Sequence, residues 1–488
     1  MKPITRQFSR LAKQLGHRDT RHAAFRILQP VKNHSFRRLL LFLGVAIMAW
    51  YTWNALTGGM PAEQRLVLFL FLIAVGLWAT EAVPAFAVGL LIIGYLVFTL
   101  GTTVFLPEPW DVSGYVDTWS SPVIWLLLGG FFLADGLSRT GLDRQIFALA
   151  MRPAGSSPSR VLLAIMLTSA VASMFISNTS TTVLMIGAIL PLVKQLGEDK
   201  PFSRALLISI PLAASVGGMG TIIGSAPNAI AVGVAADFGP DIDFIEWMVM
   251  GAPISIGLVL IAWKFISQRY PADMEAIELD LSSADEPALS NKRDRWIVGG
   301  ISIVTVGLWM TTPLHGIHVA AISLIPIAGL TMTQVIDSSQ VRKLPWDTLM
   351  LVAGGLSLGA AVVDTGLAER MASHLDFLSR LNLDALVLLM MAIITVLLSN
   401  VMSNTATVSV ILPVAVVLLP GREIEMCVVL GLSASCALLL PVSTPPNAIA
   451  YSTGCIESRD LRPGGILIGL LGPAFIVVWV MLISWLLG

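Results

Sequence analysis

Ser173, Ser177, Asn178 and Thr179 fall close together in apolar sequence, and the chain writes them again as Ser399, Ser403, Asn404 and Thr405. A Leu-Pro follows each copy, Leu190-Pro191 and Leu412-Pro413. Hydroxyls, amide oxygens and main-chain carbonyls make a neutral, hard-oxygen cage, which suits Na⁺ and lacks the carboxylates that Ca²⁺ or Mg²⁺ sites normally need. Carbonyls come free where a helix breaks, and the sequence breaks twice: at Gly224 before Ser225-Ala226-Pro227-Asn228, and at Ser443 before Thr444-Pro445-Pro446-Asn447. Proline donates no hydrogen bond and clashes with the preceding turn, so it explains each break. The same elements aim helix N-termini and the donors of Asn178, Thr179, Asn404 and Thr405 inward, and helix N-termini attract anions. No Lys or Arg lies near either cluster. An anion held there is balanced by helix dipoles and bound cations, so filling the cation sites creates the anion site, and such coupling is reciprocal. With Ser173 four residues before Ser177, and Ser399 four before Ser403, each pair is expected on one helical face.

Polar groups without partners cost several kcal/mol in lipid, so such clusters persist only where they face protein, water or a ligand. Interhelical glue is the competing use of small polar residues. Two matched copies, each trailed by a Pro-Asn break, argue against glue. Of 488 residues 55% are hydrophobic and only 12% charged, against roughly 25% charged in soluble domains. That describes a polytopic protein of the lipid bilayer, not a soluble enzyme, and no nucleic-acid partner is expected. Residues 1–38 hold ten Lys/Arg and a single acid, Asp19. No cleavable leader is read before the first apolar run near Leu39.

Stretches of about 20 apolar residues, the length a bilayer requires, occur at 37–57, 62–80, 83–105, 119–138 and 244–266. They recur at 296–312, 317–336, 346–364 and 464–487. Between them lie Ser-Asn-Thr regions at 159–196 and 383–420, and interrupted segments at 203–236 and 424–455. Gly129-Gly130 and Thr140-Gly141-Leu142 return as Gly354-Gly355 and Thr365-Gly366-Leu367, and Pro227-Asn228-Ala-Ile-Ala returns from Pro446. The expected fold is an all-α polytopic membrane protein of about 11 transmembrane helices plus two re-entrant hairpins, arranged as two inverted five-helix repeats. Of the 30 Lys and Arg, this topology leaves only Arg65, Arg370, Arg380 and Arg422 on one side. The positive-inside rule then puts the N-terminus in the cytoplasm of an inner (plasma) membrane protein and the C-terminus outside.

These motifs resemble the divalent anion/sodium symporter family, the INDY-type carriers of citrate, dicarboxylates and sulfate. The resemblance covers about 40–488 and rests on the two Ser-Asn-Thr triplets and the Pro-Pro-Asn break. It implies a homodimer with an elevator mechanism. Its parts would be a basic tail (1–36), scaffold helices (37–138 and 296–367), transport halves (139–267 and 368–488) and a cytoplasmic linker (268–295). It also implies one Na⁺ site at Ser173, Ser177, Asn178 and the Gly224 carbonyl. A second would use Ser399, Asn404 and the Ser443 carbonyl, with Ser403 beside it. Substrate carboxylates would meet Asn178, Thr179, Ser225, Asn404, Thr405 and Thr444. The chain departs from the family in having one proline at the first break, Leu438 where Phe is usual, and four extra residues before Leu190-Pro191. The expected function is sodium-coupled symport of a dianion, a C4 dicarboxylate such as succinate first. The alternatives are a sodium-independent anion exchanger and a sodium/proton antiporter, whose acids would have to be Glu81, Asp135 or Asp364.

Overall fold

The computed structural model describes residues 34–239, 241–277, 291–374 and 383–487. Residues 1–33 of the basic tail and 278–290 of the expected linker lie outside the described residues. Helix α1 (His34–Leu56) precedes two runs of helices that follow one plan. The first is α2 (Ala62–Thr80), α3 (Ala85–Leu100), α4 (Pro122–Thr140), α5 (Leu142–Met151), α6 (Pro158–Phe175), α7 (Asn178–Leu196), α8 (Pro201–Gly217), α9 (Ala226–Ala235) and α10 (Phe244–Arg269). The second is α11 (Lys292–Met310), α12 (Val319–Met332), α13 (Trp346–Asp364), α14 (Leu367–Ser373), α15 (Asp384–Ser399), α16 (Asn404–Ala415), α17 (Glu423–Ala434), α18 (Pro445–Ser452) and α19 (Ser458–Leu487). Apart from short helical turns, the remaining described residues are loops, and none forms a strand.

By length and composition, nine helical stretches among the described residues can cross a membrane. Both α6 and α7 are among them. Helices α3 and α12 are shorter, at 16 and 14 residues, and α11 opens on the charged run Lys292-Arg293-Asp294-Arg295. Ile47, Met48, Ile303, Leu470 and Val478 stand exposed on outward faces, an apolar surface that lipid covers.

Two local features tie the halves together. The Thr-Gly-Leu triplets separate α4 from α5 and α13 from α14, with Gly141 at φ 69° and Gly366 at φ 68°, a left-handed conformation that glycine adopts without strain. The Gly-Gly pairs govern packing across halves: α4 lies on α12 where Gly129 meets Ser323, and α13 lies on α3 where Gly354 meets Gly89. A Cβ at Gly354 would overlap the Gly89 backbone, so these axes approach only because both residues lack side chains. The two broken segments form the interior. Every residue from Ala205 to Ile222, and from Glu425 to Leu438, is buried.

Candidate functional site

Each Ser-Asn-Thr region is a pair of helices joined by a short break. Helix α6 ends at Phe175 and α7 begins at Asn178, with Ile176 (φ −121°, ψ 148°) and Ser177 extended between them. Helix α15 ends at Ser399 and α16 begins at Asn404. The paired serines therefore do not share a helical face, contrary to expectation, because the helix stops between them. Ser177 and Ser403 are N-caps: the Ser177 hydroxyl accepts the Ser180 N–H at 3.2 Å, and that of Ser403 accepts the Ala406 N–H at 3.2 Å. Serine is favoured there because its oxygen satisfies a donor that the helix leaves without a partner. The cap takes the third N–H of each helix. The first two, on Asn178 and Thr179 and on Asn404 and Thr405, have no intrahelical acceptor and stand at the positive end of the helix.

The first cluster closes around Asn178. One terminal atom of its carboxamide lies 3.2 Å from the Gly224 carbonyl, 3.2 Å from the Ala214 carbonyl and 2.5 Å from the Ser173 hydroxyl. As NH₂ that end donates to the two carbonyls. As oxygen it accepts the Ser173 hydroxyl and completes a set of four neutral oxygens of the kind that suits Na⁺. The strip facing it is bare: a Cβ at Gly218 would fall 2.6 Å from the same carboxamide atom and 3.1 Å from the Gly224 oxygen. The break holds its shape through Asn228, whose Nδ2 donates to the Gly218 and Thr221 carbonyls, each at 2.8 Å. Thr221 Oγ1 accepts the Gly224 N–H at 3.1 Å and donates to the Met174 carbonyl, which stitches the break to the α6–α7 turn. Thus Ser173, Asn178 and Gly224 are brought together, whereas the Ser177 side chain caps α7 instead. The Ala214 carbonyl was not foreseen. It lies in what reads as continuous helix, and the only sequence signal is Gly217-Gly218, which ends α8 one turn later.

The second cluster is built on the same lines but is less closed. Ser399 Oγ and Asn404 Oδ1 are buried with no hydrogen-bond partner, a state that native proteins rarely leave unexplained. Asn447 pins the break as Asn228 does, its Nδ2 donating to the Leu438 and Leu440 carbonyls, each at 3.0 Å. Thr444 Oγ1 accepts the Asn447 N–H at 3.3 Å and caps α18, while Ser443 Oγ donates to the Leu440 carbonyl at 2.8 Å. Asn400 Oδ1 accepts the Leu439 N–H at 2.9 Å, joining the α15–α16 turn to the break. No hydrogen bond joins Ser443 to Ser399 or Asn404 among the described residues. Ser225, at the N-cap of α9, is half-buried and makes no capping bond, so the matched positions Ser225 and Thr444 differ in what their hydroxyls do.

The halves interlock at these breaks. Helix α9 packs on α16 and α17, and α18 packs on α7 and α8, so each break lies against the hairpin arm of the other half. Neither cluster contains an ionisable side chain. Among the described residues no group of three His, Cys, Asp or Glu stands together to hold a metal. Glu81 follows the end of α2, Asp364 is the last residue of α13, and Asp135 pairs with Arg139 at 2.7 Å near the end of α4.

A family profile described as citrate transporter matches residues 75–426, a stretch that takes in both hairpins and the first break. The chain belongs to the citrate transporter family. Its relatives include a protein of Staphylococcus saprophyticus named sodium-dependent dicarboxylate transporter SdcS, 29% identical over 440 residues and 82% of each chain. The protein of that name from Staphylococcus aureus is 29% identical over 458 residues, 86% of each chain. Among solved structures, the YdaH transporter of Alcanivorax borkumensis matches at a TM-score of 0.55 and 16% identity, over 82% of this chain and 98% of that one, a likeness of fold. The resemblance to divalent anion/sodium symporters is borne out, and this citrate-transporter relative is an integral membrane transporter rather than an enzyme.

Proposed function

We propose that the protein is a secondary active transporter that carries a small divalent anion, a C4 dicarboxylate such as succinate first, into the cell together with Na⁺. The observation that carries this reading is the Asn178 carboxamide facing three oxygens, the Ser173 hydroxyl and two carbonyls freed at a helix break. The names of the staphylococcal relatives, sodium-dependent dicarboxylate transporters at 29% identity, support it. In this reading Na⁺ is co-substrate at two sites. One is formed by Ser173, Asn178 and the Gly224 and Ala214 carbonyls, with Ser177 ordering the turn. The other is formed by Ser399, Asn404 and the Ser443 carbonyl, with Ser403 in the same capping role. The carboxylates meet the free N–H groups and side chains of Asn178, Thr179, Asn404 and Thr405, with Ser225 and Thr444 at the breaks. Two Na⁺ offset the two negative charges, which helix dipoles alone would balance only in part.

The remaining assignments belong to the same reading. The two helix runs are inverted repeats, the hairpins and broken helices move as a transport domain against a scaffold in an elevator cycle, and two copies form a homodimer with N-termini in the cytoplasm. The test is uptake of labelled succinate by proteoliposomes under an imposed Na⁺ gradient, with citrate, 2-oxoglutarate and sulfate as competitors. Concentrative uptake that requires inward Na⁺ is expected. Uptake that ignores Na⁺ and needs a trapped counter-anion would make the protein an exchanger.

A further inference from the structure

The end of α8 turns a slim face to Asn178. The Ala214 carbonyl lies 3.2 Å from the carboxamide, and a Cβ at Gly218, one turn on, would fall 2.6 Å from it. The counterparts of these two residues follow from a contact that both halves make. A Cβ at Gly251 of α10 would strike the Met219 carbonyl, and one at Gly465 of α19 would strike the Leu438 carbonyl, so Met219 and Leu438 correspond. Asn228 and Asn447, which pin the two breaks, follow them at the same remove in sequence. Counting back from the two carbonyls, Ala214 corresponds to Ser433 and Gly218 to Ala437. Where the first half has a methyl the second has a hydroxymethyl, and where the first has bare backbone the second has a methyl.

The added atoms explain why the second cluster does not close on itself as the first does. Asn178 meets the Ser173 hydroxyl at 2.5 Å and two carbonyls at 3.2 Å. The Asn404 oxygen is buried and meets no donor among the described residues, and Ser399 Oγ is left in the same state. So is a third oxygen, the hydroxyl of Ser433, which is fully buried on the next-to-last residue of α17. Helix α17 packs both on α15, which ends at Ser399, and on α16, which begins at Asn404. A helical serine readily turns its hydroxyl back to the carbonyl four residues before, as Ser409 does to Thr405 at 3.0 Å. Ser433 makes no such bond to Val429. Three buried oxygens without partners on three helices that pack together are costly unless something between them supplies positive charge or a donor. Thr181 and Thr407 are matched hydroxyls left without partners in both halves, so they do not distinguish the two clusters. Ser435 is also without a partner, but its counterpart is Val216, which is not among the groups that meet Asn178.

We infer that Ser433 is a ligand of the second Na⁺ site, its hydroxyl joining Ser399 Oγ and Asn404 Oδ1 where the first site uses the Ala214 carbonyl. With the Ser443 carbonyl these make a set of neutral, hard oxygens of the kind that suits Na⁺. The inference rests on the sodium-coupled reading above, and the experiment separates the two. Purified full-length protein in lipid nanodiscs is measured for equilibrium ²²Na⁺ binding, and for melting temperature in choline and in high-Na⁺ buffer. The variants are Ser433→Ala, Ser433→Cys and Ser435→Ala, each also combined with Asn178→Ala so that the second site binds alone. Ser433→Ala is expected to weaken Na⁺ binding at that site about tenfold. Ser433→Cys keeps the volume but offers a soft sulfur, a poor ligand for a hard cation, and is expected to do the same. Ser435→Ala is expected to leave the site unchanged. In choline, Ser433→Ala is expected to melt no lower than wild type, since it removes a buried hydroxyl that has no partner. In high Na⁺ it is expected to melt lower, because the ion stabilises wild type more. Unchanged Na⁺ affinity in both Ser433 variants, an equal loss from Ser435→Ala, or the same drop in melting temperature with and without Na⁺ would overturn the inference. A wild type that binds no Na⁺ would overturn the sodium reading and this inference with it.

Discussion

At the scale of single residues, the two serines of the first motif have different work, although the sequence presents them as a pair. Ser173 is fully buried and shares the Asn178 carboxamide with two carbonyls, whereas Ser177 is exposed and caps α7. Ser173→Ala is therefore expected to raise the Na⁺ concentration for half-maximal uptake about tenfold, which corresponds to roughly 1.4 kcal/mol of lost ion binding. Ser177→Ala is expected to cost about 1 kcal/mol of stability through the lost cap and to leave Na⁺ dependence within about twofold. Initial uptake rates across a Na⁺ series, with thermal melts of both variants, check the contrast; equal shifts in Na⁺ dependence would contradict it. Most of the proposed ligands were legible because small polar residues are conspicuous in apolar sequence and were written twice. Ala214 was not, because it contributes through its main-chain carbonyl and any residue type supplies one.

At the scale of elements, sequence and structure agree on where helices run, since apolar stretches of bilayer length and Pro-Asn breaks leave strong marks. The segment expected at 62–80 is α2 and that expected at 346–364 is α13, with the same bounds. Local geometry inside the hairpins was less legible. A four-residue spacing reads as one helical face until capping is considered, and Ser177 and Ser403 end that periodicity by turning the chain. The contacts between halves were invisible as well, although their cause was in view as the repeated Gly-Gly pairs. Gly354→Leu is expected to push α13 off α3, where its Cβ alone would overlap Gly89. Overpacking of this kind typically costs about 1–3 kcal/mol. A drop in melting temperature of the detergent-solubilised protein checks this, with Gly94→Leu as control, since a Cβ at Gly94 meets nothing within 4 Å. Equal melting temperatures for the two variants would contradict the close crossing.

At the scale of the whole molecule, the charge pattern predicts sidedness and the interlocked breaks predict a shared site. Arg65 and Arg342 are both exposed and fall on opposite faces under the positive-inside reading. In a background with Cys427, Cys436 and Cys455 replaced, Arg65→Cys in right-side-out vesicles is expected to react with an impermeant maleimide. Arg342→Cys is expected to react only after permeabilisation, and the reverse pattern would invert the topology. In the proposed mechanism two uncharged oxygen clusters take their positive charge from Na⁺ and so make room for a dianion between them. Direct binding tests this more closely than transport does. The affinity of the purified protein for succinate, measured by calorimetry across a Na⁺ series with choline replacement, is expected to rise at least about tenfold from Na⁺-free buffer to saturation. By linkage, Na⁺ affinity should rise by the same overall factor when succinate is saturating, and Asn178→Ala and Asn404→Ala should each abolish the effect. A succinate affinity that is the same with and without Na⁺ would contradict it.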